Sequence, residues 1–288
     1  MRIIHFILLF IISSSSTGCF TRWVMSEKEI QQHYANKPVK PVFTIIKNDS
    51  VKLFCATTGA DTLPPLLIVH GAPGGWFSNI SILDDTILQK HYHIIAIDRP
   101  GYSRSKFKTR KLRQTSIEHQ AMAIHQALRL NRSNQKGVVY GNSYGAPIAL
   151  KLATTYSNEF YHLVMVAGAL DPENEKFWWF HRYSRGLFVR LGMPRFINTA
   201  TDEKFAHVEE LRKLEADWDK LRTPVTVIQG TADYIVPVAN FEYARRRLKN
   251  HKAEFILIEG AGHLVRRSHP QLIHDVLLKH APKKSLGQ

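Results

Sequence analysis

The chain has 288 residues, 44% of them hydrophobic, which fits one sizeable α/β domain with a real core and shows no internal repeat. Its two cysteines exclude a disulfide framework. The formal net charge of +15 is concentrated at 104–113, 245–247, 266–267 and 283–284; without any nucleic-acid motif beside it, the charge fits a solvated basic surface or attraction to an anionic membrane rather than nucleic-acid binding.

The N-terminus carries Arg2, an apolar stretch at 3–12 and the small residues 13–18, followed by Cys19. This pattern reads as an export signal, because the apolar stretch is too short for a bilayer span of about twenty residues. Gly18-Cys19 resembles a bacterial lipoprotein processing site, although Ser16 departs from the usual apolar residue there. The expectation is a signal peptide at 1–18, a lipidated Cys19, an N-terminal tether at 19–41 and a destination in the bacterial cell envelope.

From about residue 42 the chain alternates apolar runs with helix-like segments. The runs are 66–69, 94–97, 138–140, 163–166, 225–228 and 255–258, and the helical segments include 116–130, 238–248 and 270–279. Such alternation predicts a mainly parallel sheet, and runs that are apolar throughout suit strands covered on both faces.

The first run leads into His70-Gly71-Ala72-Pro73-Gly74-Gly75. This loop is a candidate oxyanion site: acyl transfer needs two preorganised backbone N–H donors, and those of Ala72 and Tyr144 are the candidates, since Pro73 has no N–H. The alternative for the loop alone is a glycine-rich connection. The second run ends in Asp98-Arg99-Pro100-Gly101, where Asp98 reads as a structural turn residue.

The third run leads into Gly141-Asn142-Ser143-Tyr144-Gly145 and then a helix-like segment. Strand, Gly-x-Ser-x-Gly and helix together make a nucleophile elbow, in which flanking glycines remove the Cβ atoms that would clash at the reversal. A serine hydroxyl is weak near neutral pH and needs a histidine base with a carboxylate to orient it. Asp233 follows the run at 225–228, and His263 follows the run at 255–258 in Gly260-Ala261-Gly262-His263, so base and acid come in the expected order. Asp171, after the run at 163–166, is the runner-up for the acid.

Five motifs in order resemble the α/β-hydrolase superfamily, in its serine esterase and proline iminopeptidase-like branch: His70-Gly71-x-Pro73, Asp98-Arg99-Pro100-Gly101-Tyr102-x-x-Ser105, the Ser143 elbow, Gly230-x-x-Asp233-x-x-Val236-Pro237 and Gly262-His263. The match covers about residues 42–282. The resemblance implies an eight-stranded, mainly parallel sheet flanked by helices, with Ser143 after the fifth strand, Asp233 after the seventh and His263 after the eighth. It also implies a small helical lid at 171–222, where the sheet pattern lapses, between core segments at 42–170 and 223–288. In that lid Trp178, Trp179, Phe180 and Tyr183 either line an acyl pocket or pack the lid onto the body.

The implied activity is hydrolysis of carboxylic esters through an acyl-enzyme, acting on a small-molecule ester or amide, with no cofactor and no metal. Aminopeptidase action is the first alternative, because the oxyanion loop is similar to that of proline iminopeptidases; the short lid and the lack of an acidic cluster near the elbow argue against it. Carbon–carbon bond hydrolases share a Gly-Asn-Ser elbow but differ in the oxyanion loop. Epoxide hydrolases and haloalkane dehalogenases use an aspartate nucleophile, a mechanism that Ser143 excludes. A ligand-binding module on a hydrolase scaffold is the alternative outside enzymology.

Overall fold

Nine strands form one mixed sheet in the order β1-β2-β4-β3-β6-β7-β8-β9, in a computed structural model that describes residues 25–109, 111–179 and 181–282. The strands are β1 Val42–Lys47, β2 Val51–Thr58, β3 Pro65–Val69, β4 His93–Ile97, β5 Lys106–Phe107, β6 Gly137–Asn142, β7 Phe160–Val166, β8 Val225–Gly230 and β9 Ala253–Ile258. Strand β2 runs antiparallel to β1 and β4, and from β4 through β9 the main path is parallel. The expected eight strands are all present. The ninth, β5, is a two-residue strand paired to β2, and counting it moves the strand before each later motif up by one.

The main helices are α1 Glu27–Tyr34, α2 Ile117–His125, α3 Gly145–Thr155, α4 Arg195–Trp218, α5 Ala239–Arg247 and α6 Pro270–Lys279. Their starts are chemically marked. Ser26 and Glu29 make a reciprocal capping box on α1, Ser116 accepts the His119 N–H on α2, and Pro270 occupies the first turn of α6, where a missing N–H costs nothing.

Alternation along the strands divides the core into two layers. Leu67, Val69, Ile95, Ile97, Val139 and Met165 pack beneath α2, α3 and α5, whereas Leu66, Ile68, Ile94, Val138, Tyr140 and Val164 pack against α1 and α6. Parallel strands connected by helices must bury both faces, and each buried Leu or Ile contributes about 1.5–3 kcal/mol. Helix α1 lies inside the stretch read as a tether; its Tyr34 is buried, and His33 Nε2 and Lys37 Nζ both reach Asp84.

Between β7 and β8 lie two short helices, His181–Ser184 and Leu187–Gly192, and then α4. Leu211, Leu214 and Trp218 on the C-terminal half of α4 join the core layer under α3. One end of the inserted segment is thereby fixed to the body. Residues 1–18 and Cys19 lie outside the described residues, and Cys55 is fully buried, where burial pushes its thiol well above the usual range.

Candidate active site

The loops after β3, β4, β6, β8 and β9 all leave the sheet at its C-terminal edge. Strand β3 has β4 on one side and β6 on the other, so the chain crosses over between them, and the loops after β3 and β6 open a crevice at that reversal. Ser143 sits there with φ +53°, in the left-handed region that a non-glycine residue rarely adopts. Its N–H donates to the Val166 carbonyl at 2.9 Å, and its carbonyl accepts the Ala146 N–H at 3.0 Å, which turns β6 into α3. The flanking glycines are required sterically: a Cβ on Gly141 would lie 2.4 Å from the Gly145 carbonyl oxygen, and one on Gly145 would lie 2.3 Å from that of Val69.

Gly145→Ala is therefore expected to force α3 away from the end of β3. Overpacking against backbone costs about 1–3 kcal/mol, and the serine hydroxyl moves with the helix. A fall in Tm together with loss of hydrolysis is the expected result; an unchanged Tm would show that the elbow tolerates a methyl group.

Three side chains from three loops meet at this point. His263 Nε2 lies 3.0 Å from Ser143 Oγ, and His263 Nδ1 lies 2.8 Å from Asp233 Oδ2. Asp233 is also held by the N–H groups of Ile235 and Val236, each donating to Oδ1 at 2.9 Å, and by Gln229 Nε2 donating to Oδ2 at 2.9 Å. A carboxylate only accepts, so Nδ1 carries the imidazole proton. Nε2 then presents its lone pair to the serine hydroxyl. Asp171 lies elsewhere: its carboxylate accepts the Glu173 N–H and the Asn174 side-chain amide, capping the short 3₁₀ turn Pro172–Asn174.

The loop after β3 is pressed against the elbow, since a Cβ on Gly71 would meet that of Ser143 at 2.9 Å. Ala72, Ser143 and Tyr144 together line one cavity of about 110 Å³. The other lining side chains include Glu175, Lys204 and His207 from the inserted segment and Ile235 from the Asp233 loop. The cavity is small and partly charged. Trp178, Trp179 and Tyr183 do not line it; they are exposed on the inserted segment, and Phe180 lies outside the described residues. Of the two roles the sequence leaves open for these aromatics, lining this cavity is not seen for Trp178, Trp179 or Tyr183; Glu175, Lys176, Lys204 and His207 line it instead. Among the described residues no group of three or more His, Cys, Asp or Glu is placed to hold a metal ion.

Residues 66–276 match the alpha/beta hydrolase family. The chain belongs to that family. Epoxide hydrolase 3 of Mus musculus is 20% identical over 276 residues, spanning 81% of this chain and 74% of that protein. Among solved structures, a membrane phospholipase A that is a bacterial virulence factor superposes with TM-score 0.65 at 17% identity, covering 97% of this chain and 98% of its own. An enzyme degrading N-acyl homoserine lactones superposes with TM-score 0.65 at 18% identity, covering 83% of this chain and all 100% of its own. At these identities the superpositions establish the alpha/beta hydrolase fold.

Beneath the candidate oxyanion loop lies a charged network that sequence reading missed. Arg99, just past β4, is fully buried and pairs with the buried Glu203 of α4 through Nη1–Oε1 at 2.6 Å and Nη2–Oε2 at 3.0 Å. Gln120 Nε2 donates to Glu203 Oε1 at 2.9 Å, and the Tyr102 hydroxyl donates to Oε2 at 2.5 Å. Arg99 Nη2 also donates to the Gly71 carbonyl at 3.1 Å, while the Arg99 backbone N–H donates to His70 Nε2 at 2.9 Å. His70 Nδ1 in turn donates to the Gly71 carbonyl at 2.6 Å. Burial and the Arg99 charge hold His70 well below the usual imidazole range, so it stays neutral with this donor and acceptor pattern. Asp98 is structural as expected: its Oδ1 accepts the Trp76 N–H at 2.9 Å, and burial pushes its carboxyl up to about 6.

Proposed function

We propose that this chain is a serine hydrolase that cleaves carboxylic esters through an acyl-enzyme, with Ser143 as nucleophile, His263 as base and Asp233 as the orienting carboxylate. The observation that carries the reading is the unbroken series Asp233–His263–Ser143, with contacts of 2.8 and 3.0 Å, at an elbow where the serine is held at positive φ. Ser143 Oγ attacks the acyl carbon as its proton passes to His263 Nε2. Asp233 stabilises the resulting imidazolium, and the N–H groups of Ala72 and Tyr144 receive the oxyanion. Collapse expels the alcohol, which takes the proton from Nε2. Water then gives a proton to the same nitrogen as it attacks the acyl carbon, and collapse breaks the acyl–Oγ bond, releasing the acid while Ser143 Oγ takes the proton back from Nε2.

The epoxide hydrolase relative does not transfer its substrate to this chain. Attack by a carboxylate on an epoxide gives an ester that water can cleave, whereas attack by Ser143 would give an ether that it cannot. Aminopeptidase action needs a free carboxylate for the substrate ammonium, and Glu175, the acid in the cavity, is engaged by Lys204 and by His207 at 2.8 Å.

A cavity of about 110 Å³ favours short acyl groups, being below the roughly 300–1,000 Å³ of sites for drug-sized ligands. A fluorophosphonate probe is expected to label the wild type and not Ser143→Ala. Acetyl and butyryl esters should turn over faster than octanoyl esters and than aminoacyl amides. No labelling at Ser143, or faster amide than ester cleavage, would overturn the ester reading.

The proposal extends to the termini and the domain plan. Residues 1–18 act as an export signal, Cys19 is lipidated in the bacterial envelope, and 171–222 form a lid over a core built from 42–170 and 223–288. Incorporation of labelled fatty acid that requires Cys19 tests the anchor.

A further inference from the structure

The inserted segment exposes an unusual amount of apolar surface. Trp179 is 76% exposed, Tyr183 57%, Leu187 69%, Phe188 87% and Leu191 75%, all within thirteen residues. Side chains of this size cluster on a surface where they meet a partner. The charge pattern points to which partner. From Lys176 to Thr201 the sequence has five basic residues, Lys176, Arg182, Arg185, Arg190 and Arg195, and no Asp or Glu.

We propose that this face of the lid docks on an anionic lipid bilayer. Trp and Tyr favour the headgroup boundary, Leu and Phe bury below it, and arginines pair with anionic headgroups. Arg182 and Arg185 are exposed and stack over the rings of Tyr183 and Phe205 at 5.2 and 5.0 Å, contacts that leave their charge intact. Arg190 is already paired with Asp202 at 2.6 Å and contributes less. A second copy of the chain is a poorer occupant. In a two-fold contact the same patch faces itself, setting arginine against arginine with no acid from this segment to separate them.

The patch reaches the mouth of the active-site cavity. Lys176 lines that cavity and donates to the Tyr234 carbonyl at 3.2 Å; Tyr234 is 74% exposed, and its neighbour Ile235, 56% exposed, lines the cavity too. Docking therefore turns the cavity mouth toward the lipid surface. No helix among the described residues is long and apolar enough to cross a membrane, so the contact is interfacial. It does not depend on Cys19 or on the chemistry at Ser143.

Tryptophan quenching by brominated acyl chains tests it on the full chain. Trp76 and Trp218 are only 3% and 4% exposed, which leaves Trp178, Trp179 and Trp23 to be quenched. Wild type should be quenched by brominated phosphatidylglycerol vesicles more strongly than by brominated phosphatidylcholine, and less as salt is raised. Trp178→Phe/Trp179→Phe should lose most of that quenching. Phe188→Ser/Leu191→Ser should weaken partitioning at least about tenfold without lowering Tm, because both side chains are exposed. Quenching that survives Trp178→Phe/Trp179→Phe would place the contact at Trp23 and overturn the proposal. Equal quenching by the two lipids, or a solution dimer that Phe188→Ser/Leu191→Ser dissociates, would overturn it as well.

Discussion

Ser143→Ala and His263→Ala are each expected to lower kcat by about 10⁴- to 10⁶-fold, and the double variant to be little worse than either. Serine and imidazole act as one unit: without Nε2 the hydroxyl keeps its proton, and without the hydroxyl the base has nothing to activate. Asp233→Asn should keep the fold while lowering kcat up to about 10⁴-fold, because an amide can donate to Nδ1 and so favours the wrong tautomer. Asp171→Asn should stay near wild type, since its carboxylate caps a turn and does not meet His263. Steady-state kinetics on a short-chain ester reads all five variants. Losses that multiply in the double variant, or an active Asp233→Asn beside a dead Asp171→Asn, would sink the assignment.

Glu203→Ala should be strongly destabilising, at about 3–5 kcal/mol, because it strands the Arg99 guanidinium with 0% exposure and no counter-charge. In thermal unfolding this is a fall on the order of 10 °C. Activity should fall too in the fraction that remains folded, since Arg99 then loses the partner that aims its Nη2 at the Gly71 carbonyl, one residue before the candidate oxyanion donor of Ala72. Arg99→Met/Glu203→Met, which removes both charges, should recover much of the stability and little of the activity. A double variant as unstable as Glu203→Ala would mean that packing, and not the unpaired charge, sets the loss.

Runs that are apolar on both faces marked β3, β4, β6, β7, β8 and β9 in the sequence, and the glycines around Ser143 and His263 marked the turns. Strands β1 and β2 were harder to see. In β1, at the sheet edge, Thr44 separates Val42-Phe43 from Ile45-Ile46, so no continuous apolar run forms. Asn48 offered a usable signal: its side chain accepts the N–H groups of Ser50 and Val51 and closes the hairpin.

The Arg99 network was hidden for another reason. Charged residues are ordinarily assigned to solvent, yet Thr199, Glu203, His207 and Glu210 share a helical face with Leu211, Leu214 and Trp218, all buried. A polar stripe continuing an apolar one at the same 3.6-residue period is the trace such a network leaves in sequence. The aromatics of the inserted segment stayed undecided between lining a pocket and packing on the body, because composition does not say which side of a short segment faces inward.

The pairing of Arg99 with Glu203 also bears on modularity. Segments inserted between β7 and β8 look exchangeable because both ends join the core by single connections. Here the long helix supplies the only carboxylate seen on that guanidinium among the described residues. A chimera that imported a foreign cap without an acid at position 203 would carry an orphaned cation against its own Gly71 loop. Transplanting this cap elsewhere would in turn deliver a buried acid with nothing to neutralise it, so the two halves have to be exchanged as a matched set.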